Sequence, residues 1–227
     1  MPRIALIHAL AHSPPPINAA LARDWPEAER MNLLDDSLSA DLARSGRLDQ
    51  AMTRRFLALA DYCVDQGADA ILFTCSAFGP CIAAVAARHA GLPVLKPNEA
   101  MIEEAQALAA QRGGGIGSIG RIGRIGLVAS FAPTLLAMPP EFSAAHQPLC
   151  ALAQGAMDAL DAGDLAAHDD SAVAAAVSLL AQGCSVIALA QFSLARAAPL
   201  VAQCTGLPVL STVDSAVRKL RRLVEAR

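Results

Sequence analysis

Gly-Leu-Pro-Val-Leu occupies residues 91–95 and recurs unchanged at residues 206–210, an interval of about half of the 227-residue chain. Upstream of each copy lies a matching run of strand-forming residues, Ala70-Ile-Leu-Phe-Thr74 in the first half and Val186-Ile-Ala-Leu-Ala190 in the second. Matching segments at a fixed offset are the mark of an internal repeat. We therefore predict that the chain contains two copies of one structural unit.

Apolar strand patterns alternate with helical patterns in both halves, which predicts parallel sheets with helices packed on their faces. The predicted fold class is α/β with two pseudo-symmetric lobes, each a short parallel sheet flanked by helices, and an active site between the lobes. The predicted lobes are residues 1–98 plus 215–227 and residues 99–214. The predicted strands are Ile4–Ile7, Ala70–Thr74, Pro93–Leu95, Ile125–Ala129, 186–190 and one within 140–155; the predicted helices are 17–22, 47–66, 80–90, 99–112 and 171–182.

A glycine-rich stretch at residues 113–126 contains the spacing G-x-G-x-x-G at Gly115, Gly117 and Gly120. A phosphate-binding loop with this spacing follows a strand and opens a helix. Here the stretch follows a predicted helix and leads into a predicted strand. We therefore exclude a phosphate-binding loop at this position.

Composition excludes several classes of protein. Apolar residues make up 54% of the chain, but every apolar run is interrupted well short of the length of about 18 residues that a membrane helix needs. The net charge is −3 and the basic residues do not cluster beyond one helix face, so we expect no nucleic-acid partner. The N-terminal segment turns polar too soon for a signal peptide, so we expect a cytoplasmic protein.

The histidines and cysteines give no sign of a metal centre. The six cysteines form no C-x-x-C pair, and most lie among Ala, Leu and Val, where a free thiol behaves as a small apolar side chain. We therefore expect neither disulfides nor a bound metal. Four histidines, namely His12, His89, His146 and His168, are expected at the surface.

Ligands of parallel α/β sheets bind beyond the carboxyl ends of the strands. Cys75, His8, Ser130 and Gln191 follow or end predicted strands and are the first candidates. Backbone N–H groups at the helix start after Cys75 are expected to lower the pKa of its thiol. A buried, unreactive cysteine is the alternative.

The remaining candidates support these. His8 is expected near Cys75, where it could activate the thiol or act as a second acid or base; a loop histidine bonded to the backbone is the alternative. Hydroxyl groups at strand ends could bind a carboxylate or a developing oxyanion, or could cap helices instead; they belong to Ser76, Ser130, Thr134 and Thr212. Gln191 and Phe192 stand where the second half repeats Cys75 and Ser76.

The order strand, Thr74-Cys75-Ser76, helix, Gly-Leu-Pro-Val, repeated in the second half, resembles the aspartate/glutamate/hydantoin racemase superfamily. The resemblance extends over nearly the whole chain and includes Asn32-Leu-Leu-Asp-Asp-Ser-Leu38. It implies an enzyme without metal or organic cofactor that moves a proton at the carbon next to a carboxylate, and a homo-oligomeric assembly. It also implies two cysteines, one from each half, on opposite faces of a small carboxylate substrate.

The chain departs from this pattern in its second half, where residues 190–192 are Ala, Gln and Phe. Cys184 and Cys204 lie at the opposite end of that strand and helix. The arylmalonate decarboxylases of the superfamily also use one cysteine, which resembles the second-half position, so a decarboxylase built on Cys75 should protonate the opposite face. A racemase or isomerase, a single-thiol decarboxylase and a carboxylate-binding protein without activity all remain open.

Overall fold

The computed structural model describes residues 1–112 and 123–227, so most of the glycine-rich stretch considered above lies outside the described residues. The strands are β1 Arg3–His8, β2 Glu29–Leu34, β3 Ala70–Phe73, β4 Val94–Leu95, β5 Arg124–Ala129, β6 Leu149–Leu152, β7 Cys184–Leu189 and β8 Val209–Ser211. The α-helices are α1 Pro14–Asp24, α2 Ser37–Ser45, α3 Gln50–Asp65, α4 Gly79–Arg88, α5 Glu99–Arg112, α6 Thr134–Ala137, α7 Ala156–Asp161, α8 Leu165–Ala181, α9 Ala198–Thr205 and α10 Thr212–Glu225.

The first compact unit comprises Met1–Asn98 and Ala216–Arg227. Its four strands are all parallel and lie in the order β2-β1-β3-β4, so β1 and β3 are central. One face of this sheet packs against helices α3 and α4 through a buried apolar cluster that includes Ala5, Ile7 and Phe73. Between Arg3 and His8 the central strand β1 is apolar, and β3 is apolar throughout, as is usual for strands covered on both faces.

The second compact unit comprises Glu99–Ser215. Its strands are also parallel and lie in the order β6-β5-β7-β8, which is the order of the first unit shifted by four strands. Helix α5 covers one face of the sheet, and helices α8 and α9 cover the other. The predicted α/β class with two short parallel sheets is therefore confirmed.

Some local expectations differ from the structure. The segment Glu29–Leu34 is an edge strand that no sequence pattern predicts, because its polar side chains interrupt any apolar run. The region 140–155 holds the predicted strand only at Leu149–Leu152, after two single-turn 3-10 helices. The surface position expected for His168 is wrong, since its side chain is fully buried and its Nδ1 lies 2.9 Å from the Asp169 carboxylate.

No helix within residues 1–112 and 123–227 is both long enough and apolar enough to cross a membrane.

Candidate active site

The first unit presents Cys75 at the carboxyl end of the central strand β3. The last backbone bond of the strand pair runs from the Thr74 N–H to the Ile7 carbonyl. Cys75 is extended, with φ −128° and ψ 122°, and it begins a 3-10 helix at Ser76–Phe78 that continues into α4. The thiol is half-buried and packs against the apolar cluster of the sheet, whereas Ser76 is exposed.

Three phenylalanines fix the turn that carries Cys75. The ring of Phe56 on α3 stacks on Phe73 with a centroid distance of 5.3 Å and contacts Phe78 at 4.8 Å. Phe73 precedes Cys75 and Phe78 follows it, and all three rings are buried. Aromatic pairs at these separations are favourable beyond their burial alone. The turn is therefore held at both ends by one side chain from a neighbouring helix.

The environment of Cys75 determines which form of the thiol predominates. Burial against the apolar cluster raises the pKa of Cys75, and a hydrogen bond from the Ala77 backbone opposes this rise with a smaller effect. The expectation that the helix start would lower the pKa is therefore wrong, because desolvation of the thiolate outweighs the backbone donor. Cys75 is a protonated thiol at neutral pH, the form that can deliver a proton.

His8 ends the other central strand, β1, and its side chain is fully buried. The ring Nδ1 lies 2.9 Å from the Thr74 hydroxyl, and Nε2 lies 3.0 Å from Oδ1 of Asn32 on the edge strand. Burial lowers the pKa of His8, and the hydrogen bond to Asn32 opposes this shift. The structure thus places His8 in contact with Thr74, the residue before Cys75. Both ring nitrogens of His8 are hydrogen-bonded within the first unit.

The strand registers identify the residue that stands at the position of Cys75 in the second unit. Ile7 pairs with Phe73 in the first sheet, and Val128 pairs with Leu189 in the second. The next two residues are Thr74 and Cys75 in one case and Ala190 and Gln191 in the other. Gln191 is also extended, with φ −115° and ψ 151°, and begins a 3-10 helix at Phe192–Ala197. Gln191 is therefore the structural counterpart of Cys75.

Gln191 is engaged at both ends of its amide group. Its Oε1 accepts a hydrogen bond of 2.9 Å from the Ser130 backbone N–H and a longer one of 3.4 Å from the Ser130 hydroxyl. Its Nε2 donates to the Thr134 hydroxyl at 2.7 Å. Three of the predicted site residues therefore lie together at the carboxyl edge of the second sheet. An amide held in this way neither gains nor loses a proton near neutral pH.

Two other predicted site residues are buried and not exposed to solvent. Phe192 is only 6% exposed and counts among the buried apolar side chains. Thr212 is 1% exposed at the start of α10, and its hydroxyl has no hydrogen-bond partner among the described residues. Among residues 1–112 and 123–227, no group of three or more His, Cys, Asp or Glu side chains is placed to hold a metal ion.

Sequence reasoning assigned no site role to three residues that contact His8 or the turn that carries Cys75, namely Asn32, Thr74 and Phe56. Thr74 carries a weak signal, since it is a polar residue directly after an apolar strand pattern, whereas Asn32 lies in the polar edge strand β2, where a polar side chain is not distinctive. Phe56 carries none, because an aromatic residue at helical spacing looks like any other core residue. Its role depends on a contact with residues far along the chain.

Comparison with known proteins places these observations in a family context. The profile of a family described as Asp/Glu/hydantoin racemase matches residues 16–220. Comparison with curated proteins gives no match.

Several solved structures are similar to the chain over nearly its full length. A glycine-to-cysteine variant of arylmalonate decarboxylase in a sulfate-associated form has a TM-score of 0.70 at 21% identity, covering 99% of this chain and 94% of that one. Allantoin racemase from Klebsiella pneumoniae has a TM-score of 0.68 at 17% identity, covering 100% and 89%. A glutamate racemase isoform from Bacillus anthracis has a TM-score of 0.67 at 10% identity, covering 99% and 82%. At these identities the likeness establishes the fold alone.

Proposed function

Because the chain belongs to the Asp/Glu/hydantoin racemase family, we propose that it is a cofactor-independent enzyme that transfers a proton at the carbon next to a carboxylate, with Cys75 as its acid/base. The family and its structural relatives support racemase or decarboxylase chemistry. The substrate is a small carboxylic acid. Its carboxylate is a suitable partner for hydroxyl and backbone N–H groups at the strand ends, among them Ser76.

The observation that carries the proposal is the asymmetry between Cys75 and Gln191. Both residues begin a 3-10 helix after a central strand, yet one offers a thiol and the other an amide that is already bonded to Ser130 and Thr134. A two-base racemisation needs an acid and a base on opposite faces of the α-carbon. This asymmetry favours chemistry on one face only, and decarboxylation of a malonate-type acid is the candidate that needs no more than one thiol.

In that reaction the bond between the α-carbon and one carboxyl group breaks, and its electron pair remains on the α-carbon as CO2 leaves. The resulting enediolate carries its charge on the remaining carboxyl group. The Cys75 thiol then gives its proton to the α-carbon, and the thiolate regains a proton from water. A thiol that is protonated at neutral pH suits this step.

Proton NMR in D2O tests the proposal with amino acids, hydantoins and aryl- or alkylmalonates as substrates. CO2 release from a malonate with one deuterium incorporated at the α-carbon would support the decarboxylase. Deuterium exchange with retained configuration would support a one-sided isomerase-type enzyme, and loss of configuration would show a second base. Absence of turnover across the panel would favour a carboxylate-binding protein instead.

The raised pKa of Cys75 predicts the pH dependence of malonate decarboxylation. The thiol must be protonated to act as the acid, and a raised pKa keeps it protonated to higher pH than an ordinary cysteine. We therefore expect kcat/KM to stay level through neutral pH and to fall only above about pH 8.5, the usual range of cysteine. Initial rates between pH 6 and 10 measure this. A rate that rises from pH 7 to pH 9 would instead show that the thiolate is the active form.

A further inference from the structure

A chain of side-chain hydrogen bonds begins at helix α1 and ends beside Cys75. Nδ2 of Asn18 donates to the Pro14 carbonyl at 2.8 Å, and a carbonyl can only accept, so the orientation of this amide is fixed. The same Nδ2 donates to Oδ1 of Asn32 at 2.9 Å, and Nδ2 of Asn32 donates back to Oδ1 of Asn18 at 3.1 Å. The orientation of the Asn32 amide is therefore fixed as well.

The orientation of Asn32 determines the tautomer of His8. The atom of Asn32 that faces His8 Nε2 at 3.0 Å is the amide oxygen, which only accepts, so Nε2 carries the hydrogen. Burial keeps the ring neutral at pH 7 by lowering the pKa of His8. Nδ1 then holds a lone pair and accepts the Thr74 hydroxyl hydrogen at 2.9 Å. The competing acceptor, the Ile7 carbonyl, lies farther from this hydroxyl, at 3.4 Å.

The second unit shows that the fold does not need these polar groups. The strand registers place Ala129 at the position of His8, Ala190 at that of Thr74 and Cys150 at that of Asn32. Ala129 and Ala190 are buried in an apolar cluster. Burying an imidazole and a hydroxyl costs free energy unless their hydrogen bonds are kept, and the repeat forms the same sheet without them. The unit that carries the thiol has polar residues at the positions of His8 and Thr74, and the unit that carries Gln191 has alanines there.

We propose that His8 is a positioning residue for Cys75: held as the Nε2–H tautomer by Asn18 and Asn32, it binds the Thr74 hydroxyl and fixes the strand end that carries the thiol. The inference rests on the proposed acid/base role of Cys75. It replaces the expectation that His8 itself exchanges protons with the substrate, since both ring nitrogens are occupied by Thr74 and Asn32. His8 anchors Thr74, the residue before Cys75, and Phe78 anchors the turn that follows Cys75.

The tautomer is measured first, by long-range ¹H–¹⁵N correlation of the imidazole in the intact protein at pH 7. We expect the His8 pattern of a neutral ring with hydrogen on Nε2. A ring with hydrogen on Nδ1, or a charged ring, would overturn the proposal. The His8 signals are assigned by their disappearance in His8→Gln, and they require neither substrate nor turnover.

Thr74 provides a matched pair of variants for the positioning role. Thr74→Val removes the hydroxyl at nearly constant volume, and Thr74→Ser keeps it. We expect Thr74→Val to release the strand end, so that iodoacetamide alkylates Cys75 at least about fivefold faster, as followed peptide by peptide by mass spectrometry. We expect kcat to fall about ten- to hundredfold with little change in KM, since misplacement of a reacting group by about 1 Å has such effects. Thr74→Ser should resemble the wild type in both measurements.

The double variant His8→Ala/Thr74→Ala places the residues of the second unit at both positions and should fold, which urea denaturation checks. Equal alkylation rates of Cys75 in wild type, Thr74→Val and Thr74→Ser would refute the positioning role even if the double variant did not fold. Because alkylation and the imidazole spectrum need no substrate, the positioning role can be confirmed where the panel of acids shows no turnover. In that case only the proposed activity would fail.

Discussion

Replacement of Cys75 by alanine is expected to lower the rate of malonate decarboxylation, or of α-proton exchange, by about 10²- to 10⁴-fold. The physical reason is that the proposed reaction takes its proton from Cys75, while its counterpart Gln191 carries an amide that cannot take over this task. The rate is measured by CO2 release and by deuterium incorporation under saturating substrate. Because the Cys75 side chain is only half-buried, we expect the free energy of unfolding in urea to change by no more than about 1 kcal/mol.

Two further variants separate the chemistry of Cys75 from general effects of losing a cysteine. Cys204→Ala removes an exposed thiol on α9 in the second unit and should leave the rate unchanged. Cys75→Ser keeps the size of the side chain but has a hydroxyl that is a far weaker acid, so it should be nearly as inactive as the alanine variant. Activity of Cys75→Ala within about tenfold of the wild type would show that another group supplies the proton.

The architecture could be predicted from the sequence because its signals are local and occur twice. The apolar segments around residues 70–74 and 186–190 and the repeated Gly-Leu-Pro-Val-Leu each specify a strand or its connection within a few residues. Two weak signals at a constant offset then support one another. The position of Cys75 at a strand end follows from the same pattern, and the strand registers agree with the sequence repeat in giving Gln191 as its counterpart.

The properties of the candidate site could not be predicted because they depend on contacts between distant residues. His8 meets Thr74 and Asn32 across three adjacent strands, and no local pattern links these positions. The direction of the Cys75 pKa shift follows from the balance between apolar burial and one backbone donor. A sequence shows the helix start that supplies the donor, but not the packing that outweighs it. The same limitation explains the wrong expectation that His168 lies at the surface, since its burial depends on packing against other segments.

The second large effect is expected from Gln191→Cys, which introduces a thiol at the structural counterpart of Cys75. The resemblance to the racemase superfamily implies that cysteines at these two positions act on opposite faces of one α-carbon. We therefore expect the variant to scramble the configuration of an α-chiral carboxylic acid, whereas the wild type exchanges deuterium with retention or forms one product enantiomer. Chiral chromatography of the products, together with deuterium NMR, measures the change from one enantiomer toward a racemic mixture.

The substitution also removes the contacts that Gln191 makes, so its effect needs a control that loses the same contacts. Gln191→Ser deletes the bonds to the Ser130 N–H and the Thr134 hydroxyl but adds no thiol. We expect both variants to lose about 1–3 kcal/mol of stability, because the Ser130 N–H is left without its acceptor. Only Gln191→Cys should lose stereochemical control, and the further change Cys75→Ala should abolish the scrambling. If Gln191→Cys keeps Cys75-dependent exchange with full retention of configuration, the side chain at position 191 does not reach the substrate. Chemistry on a single face of the α-carbon would then follow from the geometry of the site and not from the missing thiol.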